Sequence, residues 1–294
     1  MRKESFEAAF DIIKDYFFND NLKAYTTFDI SNIFENHREN WKIAGYRNSN
    51  HFINFLEKSN ILKMIKLKHQ TTSSIKKILI EPNANYFNIG LTIKKDGYLS
   101  NYTAMQIHNL TLQIPKSIYV SHPKVESRNS LKNNNINISQ DSIDKAFTKP
   151  QRITSEVYKS EIDNYRLLFI QKGYTENNIG IINNNGIRYT DLERTLIDIA
   201  IRPAYSGGVF EVLEAFINAR EHIDINKLNN YLSELNYIYP FHQLLGFYMD
   251  KANYDSKKIS ILFNQVSKYK FYLTYNMSNK EYDEKWKIYY PKGF

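Results

Sequence analysis

Apolar side chains at the start of the chain recur at helical spacing. Phe6, Phe10, Ile13 and Phe17 follow one another at intervals of four, three and four residues. This spacing places them on one face and predicts a first helix over about residues 4–18.

Two further helices are predicted before residue 60. Thr26 and Asp29 have the spacing of a capping box at the start of a second helix. Ser49 is expected to cap a third helix over about residues 50–59. The apolar face of that third helix consists of Phe52, Phe55 and Leu56.

The pattern then changes to strand spacing. ILKMIKLK and SIKKILIEP are two short apolar runs joined by HQTTS, which predicts a β-hairpin. Three helices followed by a hairpin is the order of a winged helix-turn-helix. In that arrangement the third helix enters the DNA major groove and the hairpin lies along the backbone.

The charge distribution strengthens this prediction. Residues 1–40 carry a net charge of −3, whereas residues 41–80 carry +7 within a chain whose total is +8. Lysines can neutralise phosphates, arginine pairs with guanine and asparagine pairs with adenine. The expected DNA-binding residues are Arg47, Asn48, Asn50, His51, Asn54, Lys58, Lys63, Lys66, Lys68, Lys76 and Lys77. The alternative is a winged helix that binds proteins and whose polar face is only solvated.

The rest of the chain predicts an α+β region that ends in a block of helices. Residues 82–85 are expected to form a linker, which gives two domains, 1–82 and 86–294. Asn185-Gly186 predicts a hairpin. Residues 124–150 are polar and rich in asparagine, and a loop and a pair of irregular strands both remain open. Other expected elements are a helix capped by Ser100, strands over 117–120, about 153–159 and 166–171, helices after Pro203, and one final strand.

One dense ionic cluster lies on a predicted helix. Thr190 to Glu193 has the pattern of a capping box, and Arg194 and Asp198 have the spacing of an ion pair. A structural role is therefore expected. The alternative is a carboxylate pair for metal chemistry, but no partner lysine or histidine is expected beside these residues.

Composition excludes several other functions. The chain has no cysteine, which rules out disulfides and thiol sites, and its seven histidines show no metal-ligand spacing. No phosphate-binding or hydrolase motif is present. We therefore expect a cytoplasmic, non-enzymatic protein with no cofactor, metal or membrane span. The enzymatic alternative is a nuclease that uses Asp283-Glu284-Lys285, or Glu156 with Lys159.

Three segments resemble the AbiEi family of antitoxins from type IV toxin-antitoxin and abortive-infection systems. They are the NILKMIKLK wing, GYLSNYTAMQIHNLTLQIPKSIYV, and YTDLERTLIDIAIRPAYSGGVFEVLEAF, of which the third is the most distinctive. The sequence departs from the family pattern in its asparagine-rich 131–140 stretch and at Asn109. The residues that match the family signature, which we expect to be structural, are Glu193, Arg194, Thr195, Asp198, Arg202, Pro203, Gly207 and Gly208.

The resemblance implies a regulator with two roles. Its N-terminal domain would repress its own operon at inverted repeats in double-stranded DNA. Its C-terminal domain would antagonise a co-encoded nucleotidyltransferase-like toxin, with direct binding left open. The residues themselves indicate only a winged-helix DNA binder joined to an α+β region.

Overall fold

The protein is described by a computed structural model that covers residues 5–20, 22–124, 138–173 and 178–294. The fold is α+β, as predicted. Its first elements, in chain order, are α1 (Phe10–Asn19), β1 (Ala24–Thr26), α2 (Thr27–His37), α3 (Ser49–Lys58), β2 (Lys63–His69) and β3 (Ile75–Ile80).

The N-terminal helices form around a cluster of aromatic rings. α1 begins six residues later than predicted, because residues 6–9 form a turn that buries Phe6. The predicted capping box starts α2, since Thr26 Oγ1 accepts from the Asp29 N–H at 3.1 Å and Asp29 accepts from the Thr26 N–H at 2.9 Å. Phe34 of α2 stacks on Phe52 of α3, with ring centroids 5.2 Å apart. The helices therefore share one apolar core.

The β-hairpin carries a third strand that the sequence did not indicate. β2 and β3 pair antiparallel, with Lys66 opposite Lys77, and β1 pairs antiparallel with the other edge of β3. The short β1 has only three residues, too few to show an alternating pattern. Together these elements make the winged-helix arrangement.

The remaining elements form a helix-rich second part. They are α4 (Tyr86–Ile93), β4 (Tyr98–Leu99), α5 (Tyr102–Ile107), β5 (Ser117–Pro123), α6 (Gln140–Phe147), β6 (Val157–Ser160), β7 (Arg166–Lys172), β8 (Ile181–Asn184), β9 (Ile187–Thr190), α7 (Leu192–Ile201), a 3-10 helix (Pro203–Tyr205), α8 (Val209–Ala219), α9 (Ile225–Leu235), α10 (Phe241–Lys251), α11 (Ser256–Phe263), β10 (Phe271–Tyr272), β11 (Lys280–Asp283) and β12 (Ile288–Pro291).

One mixed sheet runs through both parts of the chain. Over the described residues it contains nine strands in the order β1-β3-β2-β6-β7-β5-β4-β9-β8. The two parts of the sheet join at β2. The edge of β2 that is not paired with β3 pairs antiparallel with β6, so that Lys68 lies opposite Lys159. Strand pairing thus crosses the predicted domain boundary at residue 82, and the boundary itself stays a prediction.

The two faces of the sheet are covered differently. α4 packs on one face, against a cluster that includes Ile65, Leu67 and Val120. On the opposite face, Met64 and Leu79 pack under α1–α3, whereas Tyr119 of β5 packs under the helical block of α5 and α7–α11. The middle of this second face lies between the two groups of helices.

The helical block is packed closely enough to require a glycine. Gly246 of α10 lies against the buried indole of Trp286, and a Cβ built on it would stand 2.0 Å from Trp286 Cζ3. Any larger residue would displace the indole, because buried side chains are already close-packed. Trp286 precedes β12, which with β10 and β11 forms a small sheet of three strands in the described chain.

Several local predictions need correction. α6 is a helix where a loop or irregular strands were expected, because Ser139 forms a capping box with Ser142 and both Ile143 and Phe147 are buried. Residues 125–137 lie outside the described part of the chain. Ser100 does not cap α5, since its hydroxyl bonds to Ser121 at 2.6 Å.

The predicted final strand is confirmed as β12, and β11, which the sequence did not indicate, pairs antiparallel with it. The predicted hairpin at Asn185-Gly186 is confirmed. Both residues have positive φ, +50° and +82°, as a tight hairpin turn requires.

Candidate nucleic-acid interface

The third helix begins one residue earlier than the sequence indicated. Asn48, and not Ser49, is its N-cap: Asn48 Oδ1 accepts from the His51 N–H at 3.0 Å. His51 Nδ1 accepts in return from the Asn48 N–H at 3.3 Å. Both side chains were expected to bind DNA, but each uses one polar atom to start the helix.

The exposed face of α3 is a narrow polar strip. Asn50, Asn54 and Lys58 are four residues apart and all exposed, so they lie above one another along the helix. On the buried face Ile53 replaces the expected Phe55, which is half-buried and stacks on Phe6 with centroids 5.2 Å apart. The strip therefore faces away from the aromatic core.

Arg47 is placed apart from the strip. Its guanidinium lies 5.2 Å from the ring centroids of both Phe6 and Tyr46, and Arg38 donates to its carbonyl oxygen at 3.3 Å. The side chain is half-buried, and its Nε has no hydrogen-bond partner among the residues that the structure describes. These contacts hold Arg47 against aromatic rings on the α1 side of the helix.

An open concavity of about 600 Å³ separates α2, α3 and the hairpin. It brings the amides of Asn50 and Asn54 together with the ammonium group of Lys77. The lining residues are Thr27, Phe28, Ser31, Asn50, Ile53, Asn54, Met64 and Lys77.

The five hairpin lysines divide between the two faces of the sheet. Side chains alternate along a strand and opposite residues share a face. Lys66, Lys68 and Lys77 therefore lie on the face that carries α3. Lys63 and Lys76 lie on the α4 face, where the Lys76 ammonium stands 5.3 Å from the Tyr158 ring centroid.

The basic surface continues beyond the hairpin. Lys68 is opposite Lys159 on β6, and Lys159 is opposite Arg166 on β7, so all three share one face. We call Lys77, Lys66, Lys68, Lys159 and Arg166 the basic stripe. All five are exposed, and none forms an ion pair with any residue that the structure describes.

Two members of the stripe were missed as DNA-binding residues. Lys159 was named only for the alternative nuclease site, and Arg166 was not singled out. Neither lies near the hairpin in sequence, and only the pairing of β2 with β6 brings them beside Lys68. A lysine or arginine on an otherwise apolar strand was the available signal.

The ionic cluster at α7 has a different construction. Asp191 is the N-cap and accepts from the Arg194 N–H at 2.9 Å. Glu193 does not complete a capping box, because its carboxylate reaches across to α9. There it accepts from the Asp224 N–H at 3.0 Å and from Lys227 Nζ at 2.7 Å.

The predicted pair of Arg194 and Asp198 is confirmed, with Nε and Oδ1 3.2 Å apart. The expectation that no lysine stands beside the cluster is wrong, since Lys172 of β7 contacts Asp198 and Lys227 contacts Glu193. Burial lowers the pKa of Lys172 to about 8, so the ammonium is still charged at neutral pH. Burial alone would raise the pKa of Asp198, but Lys172 and Arg194 outweigh it and the pKa falls below its ordinary value.

The other signature residues shape the connection from α7 to α8. Thr195 donates to the Thr190 carbonyl at 3.1 Å, and the Arg202 guanidinium lies 5.9 Å from the Tyr205 ring centroid. Pro203 begins the 3-10 helix. Gly207 and Gly208 have φ of +81° and +96°, which favours glycine at both positions.

Three of the residues proposed for a nuclease are already paired with other residues of the fold. Asp283 accepts from the Trp286 N–H at 2.8 Å, Lys285 pairs with Asp250 at 2.9 Å, and Glu156 pairs with Lys94 at 3.0 Å. Among the described residues, no three histidine, aspartate or glutamate side chains are grouped to hold a metal ion. Nor does that part of the chain contain a helix with the length and hydropathy that crossing a bilayer requires.

Comparison with known proteins supports the fold. No protein-family model and no curated protein matches the sequence. Among solved structures, the chain is similar to the RV2827C protein from Mycobacterium tuberculosis, with a TM-score of 0.56 and 11% identity. The match covers 96% of this chain and 91% of that one. At this identity the likeness concerns the fold alone, and the AbiEi resemblance stays a hypothesis.

Proposed function

We propose that the protein is a DNA-binding transcriptional regulator that inserts α3 into the major groove of double-stranded DNA. The observation that carries this proposal is the concavity in which Asn50 and Asn54 of α3 lie beside Lys77. It joins groups that read bases to a group that binds phosphate, on a helix and hairpin in winged-helix order.

The chemistry assigns different tasks to these groups. An asparagine side chain can make a bidentate contact with adenine, because its amide oxygen accepts from N6 and its amide nitrogen donates to N7. Lys66, Lys68 and Lys77 have no carboxylate partner among the described residues, so phosphates can take that place without breaking an existing ion pair. Base contacts then set sequence preference, and lysine contacts set the strength of binding.

The antitoxin role rests on the sequence resemblance alone. Under this proposal the protein works in the cytoplasm, represses its own operon at an inverted repeat, and antagonises a co-encoded nucleotidyltransferase-like toxin. Glu193, Arg194 and Asp198 of the signature segment are buried and paired, which supports a structural role for these residues.

DNA binding is tested with the full-length protein and duplexes selected from a random pool. Affinity, measured by fluorescence anisotropy, should fall steeply as salt increases. Asn50→Ala should reduce the preference for the selected duplex over random DNA by ~1–3 kcal/mol. Absence of binding at low salt, or binding that salt does not affect, would contradict the proposal.

The two faces of the hairpin offer a matched control. Lys77→Gln and Lys76→Gln remove the same charge from neighbouring residues that lie on opposite faces. We expect Lys77→Gln to weaken binding about 8-fold at 0.1 M salt, the value for one lost phosphate contact, and Lys76→Gln to have little effect. Equal effects would mean that only the total charge matters.

The antitoxin role needs a cellular test. The full-length protein should relieve growth arrest caused by the product of a neighbouring nucleotidyltransferase-like gene, and should lower expression from the promoter of its own operon. Lys77→Gln should reduce repression and leave protection intact when both genes are expressed from foreign promoters. Loss of both activities together would show that they are not separable in this way.

A further inference from the structure

The basic stripe extends across four strands of the sheet, from Lys77 on β3 to Arg166 on β7. Neighbouring strands are about 4.8 Å apart, so the stripe spans roughly 14 Å across the sheet. It begins at the concavity beside α3 and ends in the second part of the chain. The exposed cations of the two parts thus form one continuous surface.

The far half of the stripe has its own recess. Lys68, Lys159 and Arg166 line a concavity of about 770 Å³, together with His69, Gln70, Ser160, Glu161 and Asn164. Arg166 is oriented by a hydrogen bond from Nη2 to Ser117 Oγ at 2.9 Å. One carboxylate, that of Glu161, stands among these three cations, and it forms no ion pair with any described residue.

We propose that Lys159 and Arg166 bind backbone phosphates of the same DNA duplex that α3 enters, so that both parts of the chain form one DNA interface. This inference rests on the proposed function. A duplex rises 3.4 Å per base pair on each strand, so the ~14 Å stripe matches about four base pairs beside the α3 site. The recess favours a polyanion, because its three cations exceed its one acid.

Strand pairing explains why this arrangement can hold one duplex. β2 is hydrogen-bonded to β3 on one edge and to β6 on the other, with Leu67 opposite Ser160 and His69 opposite Tyr158. The distance between Lys66 and Lys159 is therefore fixed by backbone hydrogen bonds and not by a flexible connection. Because the backbone positions are already fixed, binding has to order only the side chains, which lowers its entropy cost.

The test compares two double variants of the full-length protein. Lys159→Gln with Arg166→Gln removes two charges from the stripe, and Lys257→Gln with Lys258→Gln removes two exposed charges from α11 as a control. Each phosphate contact contributes about 0.9 to the slope of log affinity against log salt. We expect the stripe variant to lose about 1.8 from that slope and to bind duplex DNA about 60-fold more weakly at 0.1 M salt, whereas the control stays within about 2-fold of wild type.

The outcomes separate this inference from the proposed function. If the stripe variant behaves like the α11 control while Lys66→Gln with Lys77→Gln still weakens binding, the inference is wrong and the DNA-binding function stands. If the wild type does not bind duplex DNA at low salt, the function itself fails. Stronger binding to double-stranded RNA of the same sequence would overturn the assignment of DNA as the ligand. Circular dichroism melts confirm that each variant is folded.

Discussion

The basic stripe and the ionic cluster of α7 use the same kinds of side chain under opposite conditions. In the cluster, Arg194 and Asp198 are almost fully buried, and each charge has a partner of opposite sign. In the stripe, Lys66 and Lys159 are exposed and have no ion-pair partner among the described residues. A buried charge without a partner is strongly unfavourable, whereas an exposed one keeps its water and stays free to bind a ligand.

The comparison shows why a conspicuous charged motif need not be a binding site. The cluster lies in the most distinctive sequence segment, yet its charges are already neutralised inside the fold. The stripe is spread over four strands and no single motif covers all of it, yet its charges remain available. Mutations in the cluster should therefore affect stability, and mutations in the stripe should affect affinity.

The strongest test of this division is Asp198→Asn. The change leaves Lys172 and Arg194 buried without their carboxylate, and we expect a loss of ~3–5 kcal/mol in the free energy of unfolding. Urea denaturation measures this loss. Asp141→Asn, which breaks the exposed pair with Lys145, should leave the urea midpoint unchanged. If both variants have the same urea midpoint, buried ion pairs do not contribute more to stability than exposed ones, and the distinction is wrong.

Lowering the pH should reveal the contribution of Asp198 to the stability of the wild type. The charges of Lys172 and Arg194 keep the pKa of Asp198 lower in the folded chain than in the unfolded chain, where it is about 3.9. Its contribution to stability is therefore complete above about pH 4 and is lost as the pH falls through the folded-state pKa. The stability difference between wild type and Asp198→Asn should shrink as the pH falls below about 4. A difference that grows below pH 4 would contradict the assigned direction of the shift.

A smaller effect is expected at Glu193. Its carboxylate joins α7 to the start of α9, so Glu193→Ala should cost about 2 kcal/mol of stability by leaving the Asp224 N–H without an acceptor. Glu193→Gln keeps an acceptor oxygen and should recover at least half of the loss. Thermal melts of both variants check this, and their DNA affinity should equal that of the wild type. If a folded Glu193→Ala protein binds DNA more weakly than the wild type, Glu193 contributes to DNA binding and its role is not only structural.

The smallest effect distinguishes two roles for Asn48. As the N-cap of α3 it should contribute about 1 kcal/mol, which Asn48→Ala loses and Asn48→Ser largely retains. If Asn48 only caps the helix, Asn48→Ser should also keep the preference for the selected duplex. Loss of that preference in a stable Asn48→Ser protein would show that the side chain reads a base as well.

Local patterns in the sequence predict the elements whose causes are local. The capping box of Thr26 and Asp29, the hairpin turn at Asn185-Gly186, and the pair of Arg194 with Asp198 all involve residues at most four positions apart. α4 and α11 were missed, because each is only eight residues long, which is shorter than the stretch over which helical spacing can be recognised.

The remaining features depend on distant residues. Lys172 reaches Asp198 from 26 positions away, and Lys227 reaches Glu193 from 34 positions away. The stripe depends on the pairing of β2 with β6, about ninety residues apart in the chain. A single sequence shows which residues are charged, but not which of them the fold brings together.

The pairing of β2 with β6 also has a consequence for the evolution of the gene. Cutting the gene after residue 82 would leave β2 with an edge of unpaired peptide groups, and would uncover Ile65, Leu67 and Ile78, which pack under α4. An open apolar edge of this kind recruits other strands and promotes aggregation. Recombination that exchanges the N-terminal region alone would therefore carry a penalty in folding, so that the two parts of the gene are expected to travel together.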